Sequence, residues 1–452
     1  MAEMMAKQLF GTDGIRGVAG EPPLDDRTVF AFGLALGEHL REQDEQANVL
    51  LGMDTRLSGP KIAGLLAAGL RARNVPARFA GVISTPGIAY LTRSAGFSAG
   101  IMISASHNPF SDNGIKVFGA SGIKLDDSRE ANLEAAILRL RERDEAPSVA
   151  ELRPEPALGE AYLDHLVSVA EAAAGLAART LIVDCANGAA SALAPKLFER
   201  LGVNAQIIAN QPDGRNINEA CGSMHMQSLQ DRVARSGGAI GVAFDGDADR
   251  ALFVAEDGSL VDGDTILLLA ARYLAASGAL PGNHIVTTIM ANMGLEKALA
   301  GDGISMVRTA VGDKYVLEEM LRSGAALGGE QSGHIIFRDY ATTGDGMLTT
   351  LMMLRILGAE NKPLSDLKQR LKVFPQALEN VPVARKPAIE DVPVLAEAVE
   401  KSSRELNGLG RIVVRYSGTE PLARIMVEAE TRDLVERHTR RLVDVFKREL
   451  GA

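Results

Sequence analysis

The sequence predicts an α/β fold: three related α/β domains and a smaller α+β domain at the C-terminal end. Three observations predict it. Apolar runs of strand character recur at VLLGMD (Val49 to Asp54), TLIVDC (Thr180 to Cys185) and HIVTTIM (His284 to Met290), each followed by a loop and a helix-like stretch. About 40 to 60 residues after each start comes a second run rich in small residues: AGIMISASHNP, GAIGVAFDGDADR and GAALGGEQSGH. Each second run ends in a polar, glycine-containing loop. The tail from Val394 departs from this rhythm and reads helix (VLAEAVEKSSREL), strand (GRIVVRYS), strand (ARIMVEAE), helix (DLVERHTRRLVDVFKREL).

A chain of 452 residues exceeds what one hydrophobic core organises. Boundaries are expected where periodicity fails: in the charged, proline-containing stretch Arg141 to Pro156, near Asp257, and between Leu371 and Pro393, which holds four prolines. These divide the chain into 1–154, 155–256, 257–370 and 371–452. Ligands bind beyond the carboxyl ends of strands in open α/β sheets, so the three second-run loops are the expected ligand edge.

Composition narrows the function. The chain is 46% hydrophobic and 23% charged, as an ordinary globular protein is. The net charge of −10, with no basic stripe, argues against nucleic acid as a partner. An anionic ligand would need a local cluster of Arg, Lys and backbone N–H groups. Two cysteines, Cys185 and Cys221, make no disulfide framework and fit a reducing compartment. The N-terminal stretch has no apolar core of signal type, and Ile266 to Leu280 is interrupted by Arg272 and too short for a bilayer. A cytoplasmic protein with no membrane partner is expected.

Five segments carry chemistry. In ISASHNPFSDNGIKVF (Ile103 to Phe118) an apolar run delivers Ser104, Ser106, His107 and Asn108 into a loop, with Lys116 beyond. A serine is a covalent nucleophile only when a base, metal or charge assists it; the residues alone do not choose between Ser104 and Ser106. In FDGDADR (Phe244 to Arg250), Asp245, Asp247 and Asp249 alternate along an extended segment. Carboxylates so close repel one another unless a cation intervenes, and an all-oxygen set favours a hard ion such as Mg²⁺. The spacing is not that of an EF-hand, and Arg250 beside it suits an anion. In GGEQSGH (Gly328 to His334), Glu330 and Ser332 suit sugar hydroxyls and His334 suits proton transfer. In RYSGTEPLAR (Arg415 to Arg424), Ser417, Gly418 and Thr419 offer hydroxyl and N–H donors between Arg415 and Arg424, which present forked donors to phosphate. In FGTDGIRG (Phe10 to Gly17), Arg16 stands among glycines that permit close approach to an anion.

In this order the five motifs resemble the α-D-phosphohexomutase family over essentially the whole chain. The resemblance implies four domains around a central cleft, three of them related α/β domains with mixed sheets. It implies that Ser106 is the phosphorylated serine. Asp245, Asp247 and Asp249 are then the ligands of one Mg²⁺ per subunit, with the phosphoserine at Ser106 supplying a further oxygen. Arg16, His107, Lys116 and Arg250 match residues around the transferring phosphate. Glu330 and Ser332, with His334 beside them, match the sugar-recognition loop; Arg415, Ser417, Gly418, Thr419 and Arg424 match the phosphate-binding loop. Gln331, and Asp313 where the glucose/mannose branch carries a histidine, favour the glucosamine branch.

The implied reaction interconverts glucosamine 6-phosphate and glucosamine 1-phosphate through glucosamine 1,6-bisphosphate, feeding amino-sugar nucleotide and cell-wall precursor synthesis. The alternative within the family is a glucose or mannose phosphomutase. An aspartyl-nucleophile phosphatase, suggested by VAFDGD, and a non-catalytic sugar-phosphate sensor are the rivals outside it. His107, Lys116 and His334 remain unranked as the acid or base. The partner is a small-molecule sugar phosphate; a homodimer is one assembly the sequence allows.

Overall fold

The computed structural model describes residues 9–11, 13–143, 145–171, 179–417 and 421–451. The chain separates into two compact units, Met1–Thr288 with Val307–Lys368 and Ile289–Met306 with Gln369–Ala452.

Among the described residues, the first sheet holds β1 (Phe10–Gly11), β2 (Gly14–Val18), β3 (Val49–Met53), β4 (Ala77–Val82), β5 (Ala99–Ile103) and β6 (Asp112–Gly119), in the order β1-β2-β6-β5-β3-β4. The second holds β7 (Leu181–Asp184), β8 (Ala205–Ile208), β9 (Ile240–Phe244), β10 (Ala251–Val254) and β11 (Leu260–Val261), in the order β11-β10-β9-β7-β8. The third holds β12 (His284–Thr288), β13 (Ser305–Thr309), β14 (Leu327–Gly329) and β15 (Ile335–Phe337), in the order β13-β12-β14-β15. One motif recurs in all three. A central strand (β3, β7, β12) lies between a second strand (β4, β8, β13) and a third (β5, β9, β14), and a fourth (β6, β10, β15) returns antiparallel to the third. The chain reverses sheet direction on either side of the central strand, which makes a switch point where ligand loops gather.

The apolar runs of the sequence are the first and third strands. The second strand of each repeat, ARFAGV, AQII and SMVRT, carries no such run. These strands lie at sheet edges; β8 and β13 contain no fully buried residue. A half-solvated edge needs no continuous apolar side. The junction near Asp257 proves to be the tight turn between β10 and β11, where Asp257 Oδ1 accepts from Ser259 N at 2.9 Å, and the second sheet runs on to Val261.

In the second unit, β16 (Gln376–Pro382), β17 (Gly410–Tyr416) and β18 (Leu422–Ala429) form an antiparallel sheet in the order β16-β18-β17, backed by helices Pro393–Leu406 and Arg432–Leu450. The segment expected to be a proline-broken junction therefore contains a strand. Its prolines stand at the end of an edge strand or beyond it, where no ladder N–H is lost. The segment Ile289–Met306 clusters with this unit: Arg411 donates to Ile289 O at 2.8 Å, and Glu428 Oε1 accepts from Met293 N at 3.0 Å.

The seating of the first domain's helices is tight. Helix Asp26–Gln43, capped by Asp25 accepting from Thr28 N, crosses helix Gly59–Arg71 at facing glycines. A Cβ on Gly33 would stand 2.4 Å from Leu66 O, and one on Gly69 would stand 2.5 Å from Phe30 O. The second helix continues the Asp54 to Ser58 loop, so its seat fixes that loop. Gly69→Val should overpack this crossing and destabilise the protein by about 3 kcal/mol, seen as a lowered urea midpoint; an unchanged midpoint would show that the helices part without cost.

Candidate active site

The three second-run loops occupy equivalent positions, each between the third strand and the antiparallel fourth. Direct contacts join them. Ser106 Oγ donates to Asp245 Oδ2 at 2.5 Å, and Ala251 N, just past the aspartates, donates to Gly333 O at 3.1 Å. The serine, aspartate and glutamate loops therefore meet in one site.

Hydrogen bonds set the two serines apart. Ser104 Oγ donates to Asp54 Oδ2 at 2.6 Å and accepts from Ser106 N at 2.9 Å, so its hydroxyl is occupied inside the fold. Ser106 Oγ faces Asp245 and lies 3.2 Å from His107 Nδ1.

Asp245, Asp247 and Asp249 each offer an oxygen within 4.8 Å of the others, all buried, and can hold a metal ion. The donor set fits one. Asp247 Oδ1 and Asp249 Oδ1 are buried with no hydrogen-bond partner. Burial, then the charges of Asp249 and Asp247, hold the Asp245 carboxyl well above the usual range, so the cluster carries more negative charge than the site tolerates unaided. Thr85 supports it from below: its N–H donates to Asp247 O at 3.0 Å and its hydroxyl to Asp247 Oδ2. Gly246 admits the neighbouring loop, since a Cβ there would stand 2.4 Å from Ser106 O.

Cations surround the cluster. Lys116, on β6 and fully buried, reaches Asp247 at 2.9 Å, Asp13 at 3.1 Å and Asp249 at 3.3 Å. Burial alone would lower its pKa; Asp13, Asp247 and Asp249 outweigh burial and hold it well above the lysine range. Arg250 N donates to Asp245 Oδ1 at 3.2 Å, and its Nε lies 3.9 Å from Asp249 Oδ1 without a hydrogen bond; Arg16 pairs with Asp13, and its buried Nε makes no hydrogen bond. His107 behaves oppositely. Burial, then Arg250 and Arg16, pull its pKa down to about 4 despite Asp247 and Asp249, so it is neutral at neutral pH.

In the third loop, Glu330 Oε1 accepts from Gly312 N at 3.2 Å, Ser332 Oγ is buried without a partner, and Gln331 Nε2 donates to Asp262 Oδ2 at 3.3 Å. His334 is buried. Its Nε2 lies 3.1 Å from Gly344 N and 3.5 Å from Asp313 Oδ2. In the second unit, Arg415 and Arg424 face each other in the β17–β18 register, and Lys386 Nζ donates to Ser417 O at 2.6 Å. Gly418 and Thr419 lie outside the described residues.

Sequence reasoning missed a group of supporting residues. Lys124 bridges Asp13 and Asp313, the latter at 2.5 Å, although 111 and 189 residues separate the partners. Asp54, Arg56, Asn218 and Thr85 act on the site loops from outside the motifs. The only local signal was a polar residue ending an apolar run, Asp54 in VLLGMD.

Known proteins with this architecture agree. The models for phosphoglucomutase/phosphomannomutase match the chain as alpha/beta/alpha domain I over residues 7–144, domain II over 160–258, domain III over 262–374 and the C-terminal domain over 378–445. The chain belongs to the phosphoglucomutase/phosphomannomutase family, within the α-D-phosphohexomutases. It is 51% identical to a phosphoglucosamine mutase of Solibacter usitatus over 99% of this chain and 100% of that protein. It is 46% identical to one of Bacillus cytotoxicus over 98% and 99%. Among solved structures, a phosphoglucomutase/phosphomannomutase family protein of Burkholderia thailandensis superposes with a TM-score of 0.80 at 26% identity, covering 98% of both chains. The N-acetylphosphoglucosamine mutase of Aspergillus fumigatus, solved with GlcNAc-6P and magnesium, shares the fold at a TM-score of 0.62 and 19% identity, over 97% and 96% of the chains.

Lys124 tests the charge network. Its side chain is 10% exposed, and Asp13 and Asp313 are 22% and 14% exposed. Lys124→Met leaves two partly buried carboxylates short of a partner and should cost about 3 kcal/mol of folding stability. Chemical denaturation at neutral pH reads it; a loss too small to measure would mean that Arg16, Lys116 and solvent suffice.

Proposed function

We propose that the protein interconverts glucosamine 6-phosphate and glucosamine 1-phosphate through a phosphorylated Ser106. The observation that carries this reading is the contact of Ser106 Oγ with Asp245 amid buried cations, in a chain about half identical to phosphoglucosamine mutases. On this reading the four domains are 1–154, 155–256, 257–370 and 371–452, with β11 of the second sheet lying just past the second boundary, and the protein works in the cytoplasm. No helix among the described residues is long and apolar enough to cross a membrane.

The chain's residues divide the work. The sugar hydroxyl oxygen forms a bond to the phosphorus on Ser106 as the Oγ–P bond breaks, giving glucosamine 1,6-bisphosphate. The hydroxyl proton passes to a base, and the other phosphate later returns to Ser106. Phosphoryl transfer rests on alignment and charge neutralisation. Lys116, Arg16 and Arg250 supply cationic charge around the transferring group. His107, neutral and within reach of Ser106 Oγ, is the proton carrier at that oxygen. Asp245, Asp247 and Asp249 would hold Mg²⁺, which when bound neutralises charge on phosphate oxygens as a Lewis acid. Glu330 and Ser332 bind the sugar, with His334 holding the far side of their loop. Arg415, Ser417, Gly418, Thr419 and Arg424 bind the phosphate that is not transferring.

Ser106→Ala should keep the fold and lose more than about a hundredfold of activity, roughly 3 kcal/mol of barrier, and peptide mass spectrometry should find phosphate on Ser106 of the parent. Phosphate on Asp245 instead would assign an aspartyl-nucleophile phosphatase. Chelation should stop turnover and Mg²⁺ restore it; normal turnover by the chelated protein would remove the metal from the mechanism. Glucosamine 1-phosphate should show a higher kcat/KM than glucose 1-phosphate or mannose 1-phosphate, and equal values would assign the broader glucose/mannose specificity.

A further inference from the structure

Ser106 has φ of +53°, a left-handed backbone that a residue with a Cβ adopts only under strain. Something must hold it there, and both ends of the residue are gripped. Its N–H donates to Ser104 Oγ at 2.9 Å. Its carbonyl accepts from Asn218 Nδ2 at 2.9 Å and from Arg56 Nη2 at 3.2 Å. The same two donors hold Asn108 O, at 3.0 and 2.5 Å, two residues on. Arg56 is fixed by its ion pair with Asp54, which also receives the Ser104 hydroxyl.

Every member is enclosed: Asp54 and Ser104 are 0% exposed, Arg56 1% and Asn218 7%. Because both partners of Asn218 Nδ2 are carbonyls, its amide orientation is settled by chemistry. An extended chain would send the Ser104 and Ser106 side chains to the same side. Ser104 is turned to Asp54, and the left-handed turn redirects the Ser106 hydroxyl to Asp245. Asn218 belongs to the same domain as the aspartate loop, whereas Arg56 belongs to the serine loop's own domain. The grip thus sets the distance between the two loops.

We propose that Asn218 and the Asp54–Arg56 pair are positioning residues for phosphoryl transfer: they clamp the Ser106 peptide in its left-handed form so that Oγ meets the aspartate cluster. In this role they act through the backbone of the Ser104 to Asn108 loop, not on sugar or phosphate. The inference rests on Ser106 as the phosphoryl carrier.

The test uses the full-length protein with Asn218→Ala and Arg56→Lys. The first removes the donor from the aspartate side; the second keeps the charge beside Asp54 but loses the fork. A misplaced nucleophile costs turnover rather than binding. Each variant should lose about tenfold or more in kcat with KM for the sugar phosphate within about threefold. Phosphorylation of Ser106 by glucose 1,6-bisphosphate, followed by peptide mass spectrometry, should slow in parallel while the thermal melt stays cooperative. If one variant fails to melt cooperatively, the other carries the test. A folded variant with kcat within twofold of the parent, or a loss confined to KM, would overturn the clamp. Absence of phosphate on Ser106 in the parent would overturn the phosphoserine reading together with it, whereas a phosphorylated parent beside an unimpaired Asn218→Ala overturns the clamp alone.

Discussion

Three carboxylates, Asp245, Asp247 and Asp249, lie buried with oxygens within 4.8 Å of one another, and such a cluster persists only where opposite charge is brought to it. Lys116 comes from the first domain's sheet and is itself fully buried, so it depends on the aspartates as they depend on it. Lys116 also binds Asp13, which in turn binds Arg16 and Lys124, and Lys124 reaches Asp313 at the start of a helix in the third repeat. Each ion is paid for by the next. The resulting chain of pairs crosses three repeats, and every residue in it falls within one compact unit.

The repeats share a strand order and have diverged where it matters least to the sheets. The loop between third and fourth strands lies beyond the apolar core, so its residues change without disturbing strand packing. One copy carries Ser106 and His107, one the aspartates, and one Glu330 and Ser332. Closeness of backbone replaces side-chain packing between them. A Cβ at Gly246 would stand 2.4 Å from Ser106 O, and one at Gly333 would stand 2.4 Å from Ala251 O. The glycines abundant in the sequence include these loop-to-loop approaches.

Much of this architecture was legible in the sequence because central strands and motif loops carry strong local patterns. The first and third strands of each repeat are apolar runs, and the aspartates alternate visibly. The edge strands β4, β8 and β13 were not legible, since a half-exposed strand needs no pattern. Strand β16 was hidden by prolines that an edge position tolerates. The choice of Ser106 over Ser104 depends on Asp54, fifty residues away, and no local pattern announces that contact. Lys124 and Asn218 are invisible for the same reason, since their partners are distant ions and backbone carbonyls; Arg56 pairs locally with Asp54, but the carbonyls it holds, Ser106 O and Asn108 O, are about fifty residues away.

The site also separates two functions that sequence alone left joined. His107, Lys116 and His334 are all capable of holding a proton, but their surroundings push them apart. Three carboxylates keep Lys116 charged, which suits a counterion and removes it as a base. Burial and two guanidinium groups keep His107 neutral beside Ser106 Oγ, which suits a group that must accept a proton there. His334 lies elsewhere: its Nε2 accepts from Gly344 N at 3.1 Å, and its Nδ1 is buried with no hydrogen-bond partner among the described residues. The two imidazoles therefore stand at different loops, His107 beside the Ser106 hydroxyl and His334 in the third loop.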